Sequence, residues 1–315
     1  MSDERPTHVV VFGAGAVGGY FGGRLAAAGH HVTFIARGAH LDAIRRDGLQ
    51  VLSPKGDFIV SPATATDDTA SVGVADVVLV GVKAGAVSAI APALTPLVGP
   101  HTVVVPLQNG VEAASALAAV LPHEGVIGGL CRVAASVTGP GQITHVGIEP
   151  TVVVGARNDS QGQSVERVRD LLARAGVTVE VADDIQAALW EKFLLVEPWG
   201  GLGGVTRVTL DVLCRTPGTR RLLTAAMAEV ALLAAAHGVR LADDVVHRTL
   251  TFLDAVPEGA TASMQRDLTE RRPSELDAQT GAILRLGQEK GIQTPVHAFL
   301  YDCLSPGERL ARGAE

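Results

Sequence analysis

The hydrophobic positions of this chain follow one pattern in its first half and a different one in its second half. In the first half, short β-branched runs alternate with helical stretches, as in HVVVFGAG, HHVTFIAR, ADVVLVGVK and HTVVVPLQNG. Each run is nearly all apolar, which is typical of strands that helices cover on both faces. The alternation therefore predicts βαβ units on a mostly parallel sheet.

Two later changes of pattern define the domain organisation. From about residue 128, the stretch RVAASVTGPGQITHVGIEPTVVVG places turn formers between apolar runs, which predicts a β-hairpin extension of the same sheet. After about residue 183, Ala/Leu-rich helical patterns run to the C-terminus, with interruptions at PWGGLGG, TPGT, VPEGATAS and ERRPS. The sequence predicts an α/β domain over residues 1–183 and an all-helical domain over residues 184–315.

Composition limits the classes of function. With 315 residues, 47% of them hydrophobic, the chain has ample material for two packed cores. A formal net charge of -7, without a Lys/Arg run, argues against a nucleic-acid partner. The N-terminus shows no secretory signal, and the apolar segment 222–236 is too short to span a bilayer and contains Glu229. These features predict a cytoplasmic protein without a membrane partner.

The cysteines and histidines show no metal-binding pattern. Cys131, Cys214 and Cys303 lie far apart, without CxxC spacing, and the ten histidines form no HxH or HExxH motif. We therefore expect buried thiols in a reducing compartment and no metal site.

A glycine-rich turn follows the first predicted strand directly. GAGAVG has the GxGxxG spacing and stands between a strand and a helix, where the glycines allow a tight turn, a close approach to a pyrophosphate and helix-sheet packing. The alternative is a glycine-rich turn without a ligand. The sequence predicts a Rossmann-type dinucleotide site whose loop comprises Gly13, Ala14, Gly15, Ala16, Val17 and Gly18.

The end of the second predicted strand indicates which cofactor binds. An acidic residue there would bind the free ribose hydroxyls of NAD, but the sequence FIAR places Arg37 at this position. A guanidinium suits the 2'-phosphate, so we expect NADP(H) as the cofactor. The alternative is a solvated surface arginine.

Several short motifs together resemble the ketopantoate reductase family, also called 2-dehydropantoate 2-reductases. They are the glycine turn, VGVKAGAV, LQNGV, LWEKF and SMQRDLTERRPSELDAQTG, in which Ser263 stands twelve residues before Glu275. The resemblance covers nearly the whole chain. It implies reduction of a 2-oxo acid to a D-2-hydroxy acid with NADPH, in the manner of pantothenate biosynthesis, by a Rossmann domain followed by a helical domain.

The resemblance also implies roles for individual residues. Lys192 would be the catalytic acid, and Glu275 would bind substrate and support catalysis. Asn109 and Ser263 would contact substrate, with Asn109 also at the cofactor site, and Lys83 would lie beside the nicotinamide. Hydride addition builds negative charge on the ketone oxygen, so a lysine on an apolar helix is a suitable donor.

Each of these residues also has a structural interpretation. Lys192 can be a side chain that lays its stem on apolar surface, and Lys83 an ordinary charge at a strand end. Asn109, in QNG, can be a turn former. Glu275 can complement a helix start at PSELD, where Ser274 and Asp277 would form a capping box.

One departure from the family bears on the substrate. Val196 and Gly200 stand where the family usually has two substrate-facing asparagines, and Val196 would line the pocket. Glu197 could replace the lost contacts if the backbone shifts near Pro198.

Three alternatives to a ketopantoate reductase therefore remain: a relative that acts on a more apolar 2-oxo acid, a 3-hydroxyisobutyrate type of dehydrogenase, and a non-catalytic NADPH-sensing protein. The SMQRDL…ELD segment argues against the dehydrogenase. A homodimer is compatible with the sequence, which leaves the oligomeric state open.

Overall fold

The structure is a computed structural model that describes residues 6–313. The chain divides into two compact units. The first comprises the described residues up to Gln108 together with Glu112–Ile185. The second comprises Asn109–Val111 together with the described residues from Gln186 onward. Residue 183, where the sequence predicts a domain boundary, thus lies near the end of the first unit.

Within residues 6–313, all the strands belong to the first unit. They are β1 (His8–Phe12), β2 (His31–Ile35), β3 (Leu49–Leu52), β4 (Phe58–Val60), β5 (Thr64–Thr66), β6 (Val77–Val80), β7 (Val103–Pro106), β8 (Gly128–Arg132), β9 (Ala135–Gly139), β10 (Gln142–His145), β11 (Thr151–Gly155) and β12 (Thr178–Val181).

The α-helices occur in both units. Those of the first unit are α1 (Ala16–Ala27), α2 (Gly38–Asp47), α3 (Val87–Ile90), α4 (Ala113–Ala118) and α5 (Gly162–Arg174). Those of the second unit are α6 (Ile185–Thr206, whose first residue still belongs to the first unit), α7 (Leu210–Arg215), α8 (Pro217–Ala236), α9 (Val245–Asp254), α10 (Ser263–Thr269), α11 (Thr280–Lys290) and α12 (Pro295–Ala311).

The central sheet has the order β5-β2-β1-β6-β7, and all its neighbouring strands are parallel. The four apolar runs of the sequence form β1, β2, β6 and β7, which confirms the prediction of a mostly parallel sheet. Every residue of β6 and β7 is buried, so neither strand has a face that would favour polar residues. The carboxyl ends of β1, β2 and β6 meet at one edge, the usual ligand-binding edge of such a sheet.

The predicted hairpin is present, but it belongs to a different sheet. The antiparallel pair β9 and β10 joins a second sheet of order β4-β3-β10-β9, while β8 pairs with β11 in a third sheet of order β12-β11-β8. The second sheet forms because β10 pairs in parallel with β3, and a hydrogen bond of 3.0 Å between Gln142 and Gln50 reinforces this register.

Helix α6 corrects the expectation of a break at PWGGLGG. It runs without interruption through Pro198 and the following glycines. A Cβ at Gly203 would lie 2.4 Å from Oε1 of Gln265, and one at Gly204 would lie 2.8 Å from Leu268. The bare backbone lets α10 pack directly on α6, and this packing offsets the low helix propensity of glycine and proline. The other three predicted interruptions do separate helices.

Candidate active site

The glycine turn lies between β1 and α1 and depends on its glycines. Gly13 has a φ of +97°, and a Cβ at Gly18 would lie 2.1 Å from the carbonyl oxygen of Gly13. In contrast, a Cβ at Gly15, the residue that precedes α1, would meet no heavy atom within 4 Å. Close packing on one side and open space at the helix N-terminus fit a loop that admits a pyrophosphate.

A cavity of about 280 Å³ lies at the carboxyl end of the central sheet. Its lining includes Gly13, Ala14 and Gly15 of the turn, together with Arg37 and Val82. Arg37 immediately precedes α2, and its side chain is exposed. The structure thus brings Arg37 and the glycine turn together at one cavity, while the reading of a 2'-phosphate by Arg37 stays a prediction.

Lys83 lies just beyond β6, next to this cavity. It precedes a short 3-10 helix, Ala84–Ala86, and is exposed. The buried side-chain amide of Gln108 donates to the carbonyl oxygens of Val80 at 2.8 Å and Val82 at 3.0 Å. The backbone before Lys83 is therefore fixed to the end of the neighbouring strand.

His40, on the first turn of α2, is a site residue that sequence analysis missed. The Nδ1 atom of its ring accepts a hydrogen bond of 3.0 Å from the backbone N–H of Gly141. Its Nε2 atom lies 2.8 Å from the carbonyl oxygen of Ala14, and His40 also lines the cavity. No motif marks this histidine, because its partners lie 26 and 101 residues away in the sequence.

Lys192 lies on α6 among large apolar side chains. Trp190, Phe193 and Leu194 are buried in the core of the second unit, whereas Lys192 is half-buried. Val196, one turn later, is also half-buried. Residues spaced by four lie on one face of a helix, so Lys192 and Val196 share a face.

Gly200 continues this face but faces no open space. A Cβ at Gly200 would lie 2.9 Å from the terminal methyl group of Met264, which is buried at the start of α10. The side chain of Met264 therefore occupies the space that a longer residue at position 200 would need. Ser263, the first residue of α10, is exposed beside it.

Glu197 does not take over the contacts of the missing asparagines. It is fully buried, and its Oε2 atom lies 2.5 Å from Nε2 of His297. The expectation that Glu197 could face substrate is wrong, because this carboxylate lies in the interior of the second unit and pairs with His297.

Glu275 lies in a turn and not at a helix start, so the capping-box interpretation of PSELD is wrong. Helix α11 begins only at Thr280. The hydroxyl of Ser274 does accept the N–H of Leu276, at 3.1 Å, but the N–H of Ser274 donates to Glu308, at 3.0 Å, and not to Asp277.

The turn holds Glu275 in a defined orientation. Glu275 is half-buried, and its Oε2 atom accepts a hydrogen bond of 3.1 Å from the side-chain amide of the buried Gln279. Gly110, the neighbour of Asn109, lies near the same turn, since a Cβ at Gly110 would lie 3.7 Å from the carbonyl oxygen of Ala278. The second unit therefore contains Lys192, Glu275, Asn109 and Ser263, although their catalytic and binding roles stay predictions.

A buried charged cluster in the second unit was not visible in the sequence. His297 on α12 contacts Glu197 on α6 and Glu229 on α8, each at 2.5 Å. Burial by itself would lower the pKa of His297, but the charges and hydrogen bonds of the two carboxylates outweigh it and raise this pKa to about 9. The ring is therefore a cation at neutral pH, and it connects three helices.

Models of known protein families match both parts of the chain. Residues 9–159 match the family described as "Ketopantoate reductase PanE/ApbA", and residues 184–308 match "Ketopantoate reductase PanE/ApbA C terminal". Within residues 6–313, no helix combines the length and apolar character needed to cross a bilayer.

Individual relatives agree with the family models. A 2-dehydropantoate 2-reductase of Nostoc sp. is 31% identical over 92% of this chain and 92% of its own length, and one of Mesorhizobium japonicum is 32% identical over 91% and 93%. A solved PanE/ApbA family ketopantoate reductase from Ralstonia eutropha has a TM-score of 0.88 and 33% identity, over 97% of this chain and 99% of its own. The fold alone is shared with D-mandelate dehydrogenase in complex with NADH and anilino(oxo)acetate, at a TM-score of 0.89, 23% identity, and coverage of 98% and 100%.

Proposed function

We propose, because the chain belongs to the ketopantoate reductase family, that it reduces 2-dehydropantoate to pantoate, a D-2-hydroxy acid, with NADPH. The observation that carries this proposal is the position of Lys192, a half-buried cation on the apolar helix α6, in the same unit as Glu275. The first unit would bind the cofactor, and the second would bind substrate and supply the catalytic residues. We assign the reaction to the cytoplasm, and a homodimer is compatible with this proposal.

The proposed chemistry needs a proton donor and a set of substrate contacts. A bound nicotinamide cofactor supplies the hydride that adds to C2 of the 2-oxo acid. The ammonium group of Lys192 donates a proton to the carbonyl oxygen, which becomes the hydroxyl of the product. Glu275, oriented by Gln279, would bind the substrate, and Asn109 and Ser263 would donate or accept further hydrogen bonds.

The preference for NADPH rests on Arg37. This arginine and the glycine turn line the same cavity, and a guanidinium favours the added phosphate of NADP over the free ribose hydroxyls of NAD. Because Arg37 is exposed, its guanidinium is accessible to a phosphate that arrives from solvent.

A second candidate substrate class is a more apolar 2-oxo acid. Two features of the second unit favour it: Met264 fills the space beside Gly200, and Glu197 is paired with His297. Val196 and Gly200 lack the amides that the family usually has at these positions, and neither Met264 nor Glu197 supplies one. A pocket with fewer polar contacts distinguishes less strongly between a hydroxyl-bearing ketopantoate and its apolar analogues.

The proposed function is tested by following NADPH oxidation with a panel of 2-oxo acids that includes ketopantoate and 2-oxoisovalerate. Replacing Lys192 by Met should lower kcat about 10²- to 10⁴-fold, the usual contribution of a positioned general acid, with NADPH binding retained. A suitable control is Lys290→Met, which removes a lysine at the end of α11. If Lys192→Met turns over at the wild-type rate, Lys192 has only a structural role. If no 2-oxo acid is reduced although NADPH binds, a cofactor-sensing protein becomes the better interpretation.

A further inference from the structure

The glycine turn contains a peptide group that its own backbone does not hold. The N–H groups of Gly13 and Ala14 both donate to the carbonyl oxygen of Ile35, at 3.1 and 3.0 Å, so the first part of the turn is fixed to β2. The next peptide group joins Ala14 to Gly15. Glycine restricts backbone rotation little, so this peptide needs another constraint to keep one orientation.

The side chain of His40 supplies that constraint. Its Nε2 atom lies 2.8 Å from the carbonyl oxygen of Ala14. In a planar trans peptide, the C=O and the following N–H point in opposite directions. The contact with His40 therefore also fixes the N–H of Gly15, which points away from the histidine at the start of α1. In a GxGxxG turn, N–H groups at this position bind the pyrophosphate.

The ring of His40 is itself held from the other side. The N–H of Gly141, in the turn between β9 and β10, donates to Nδ1 at 3.0 Å. The carbonyl oxygen of Gly141 accepts the N–H of Gln50 at 2.8 Å, so the donor is anchored in the second sheet. An N–H can only donate, so Nδ1 must be the acceptor. The proton of the ring must therefore be on Nε2, which donates a hydrogen bond to the carbonyl oxygen of Ala14. This neutral tautomer is the form of the ring that satisfies both contacts.

We propose that His40 is a positioning residue of the cofactor site, which holds the Ala14–Gly15 peptide in the orientation that binds the pyrophosphate. This inference rests on the proposed use of a dinucleotide cofactor. It differs from the role proposed for Arg37, because NADPH and NADH share the pyrophosphate but only NADPH carries the 2'-phosphate. The two residues therefore have different signatures in cofactor binding.

The test measures the dissociation constants of NADPH and NADH by fluorescence titration, without turnover, for the wild type and three variants. His40→Leu should weaken the binding of both cofactors by a similar factor, about 10-fold, which corresponds to the loss of about 1.4 kcal/mol. Arg37→Ala should weaken NADPH binding selectively. His40→Gln should recover much of the affinity, because an amide can donate to Ala14 and accept from Gly141.

Three results would overturn the proposal: unchanged affinities in His40→Leu, a loss confined to NADPH, or an equal loss in His40→Gln. Unchanged affinities would mean that the contact between His40 and Ala14 does not affect cofactor binding. A loss confined to NADPH would mean that His40 contacts the 2'-phosphate. An equal loss in His40→Gln would mean that the hydrogen bonds of His40 do not determine the affinity. If His40→Leu does not fold, His40→Ala removes both hydrogen bonds without introducing a bulky apolar side chain and gives the same comparison. A wild type that binds NADPH but reduces no 2-oxo acid would refute the proposed reaction and leave this test valid.

Discussion

The buried cluster of His297, Glu197 and Glu229 predicts that the second unit becomes less stable as the pH rises. The pKa of His297 is raised to about 9 in the folded chain, against an ordinary value of 6.5. At about 1.4 kcal/mol per pKa unit, holding this proton contributes about 3 kcal/mol to the free energy of unfolding. Because the folded pKa is the higher one, the contribution is complete below pH 6.5 and is lost as the pH rises through 9. Between pH 7 and pH 10 the loss should be about 2 to 3 kcal/mol.

The tryptophans provide a selective assay. The sequence contains two, Trp190 and Trp199, and both lie on α6 in the second unit. Denaturant unfolding followed by tryptophan emission at pH 7 and pH 10 therefore reports on the unit that contains the cluster. Other groups also titrate in this range, so the comparison needs a variant that lacks the buried charges.

The double variant Glu197→Gln, Glu229→Gln removes both carboxylates and keeps side chains of similar shape. The free energy of unfolding of the wild type should fall by about 2 to 3 kcal/mol more than that of this variant between the two pH values. His247→Gln, which changes an exposed histidine on α9, should behave like the wild type. If the double variant does not fold, Glu197→Gln alone should reduce the pH dependence in part. A wild type and a carboxylate variant with the same pH dependence would refute the reasoning, since His297 would then hold no extra proton.

Four further outcomes are expected. Arg37→Ala should lower kcat/KM with NADPH about ten- to hundredfold, the contribution of one charge-assisted contact, and leave NADH nearly unchanged; an equal loss with both cofactors would exclude a phosphate contact. Glu275→Ala should lower kcat/KM for the 2-oxo acid by a factor comparable to the loss in Lys192→Met, without a large change in melting temperature. A lower melting temperature with unchanged kcat/KM would mean that Glu275 has only a structural role. Gly200→Asn should cost about 1 to 3 kcal/mol of stability through overpacking against Met264. In thermal unfolding, Met264→Ala should therefore lower the melting temperature less in Gly200→Asn than in the wild type; an unchanged melting temperature in Gly200→Asn would mean that the space beside Gly200 is open. The ratio of kcat/KM for ketopantoate over 2-oxoisovalerate should stay below about 10⁴, the discrimination reached by sites that bond a substrate hydroxyl; a higher ratio would show that polar recognition has been kept by other residues.

Local patterns predicted the parts of the fold in which burial dictates composition. Strands β6 and β7 are buried throughout, and β1 and β2 are buried except for their first residues, His8 and His31, so the sequences of these strands are nearly all apolar. The glycine turn was equally visible, because a Cβ at Gly18 would collide with the backbone of Gly13. In such places a single short segment contains all the information that its structure requires.

Contacts between distant segments explain what the sequence did not predict. Helix α6 continues past Pro198 because Gln265 and Leu268 of α10 pack against its glycines. Helix propensity depends only on the local sequence, so it could not predict this packing. The partners of His297 lie 68 and 100 residues away, so the charged cluster appears only when three helices meet. The sequence predicted the hairpin but not its pairing with β3, because the pairing of strands that are far apart in the sequence depends on tertiary contacts.

The segment Asn109–Val111 limits how this chain can be recombined. These three residues belong to the second unit, although the chain on both sides of them belongs to the first. Val111 packs against the hydrophobic core that α6, α8 and α12 build. A chimera of two family members joined at residue 184 would therefore combine the Val111 segment of one parent with the helical core of the other. A fragment that starts at residue 184 would lack this part of its core altogether. Exchange of the helical unit as a functional module thus requires two transplanted segments, and the shorter one brings with it Asn109, a proposed substrate contact.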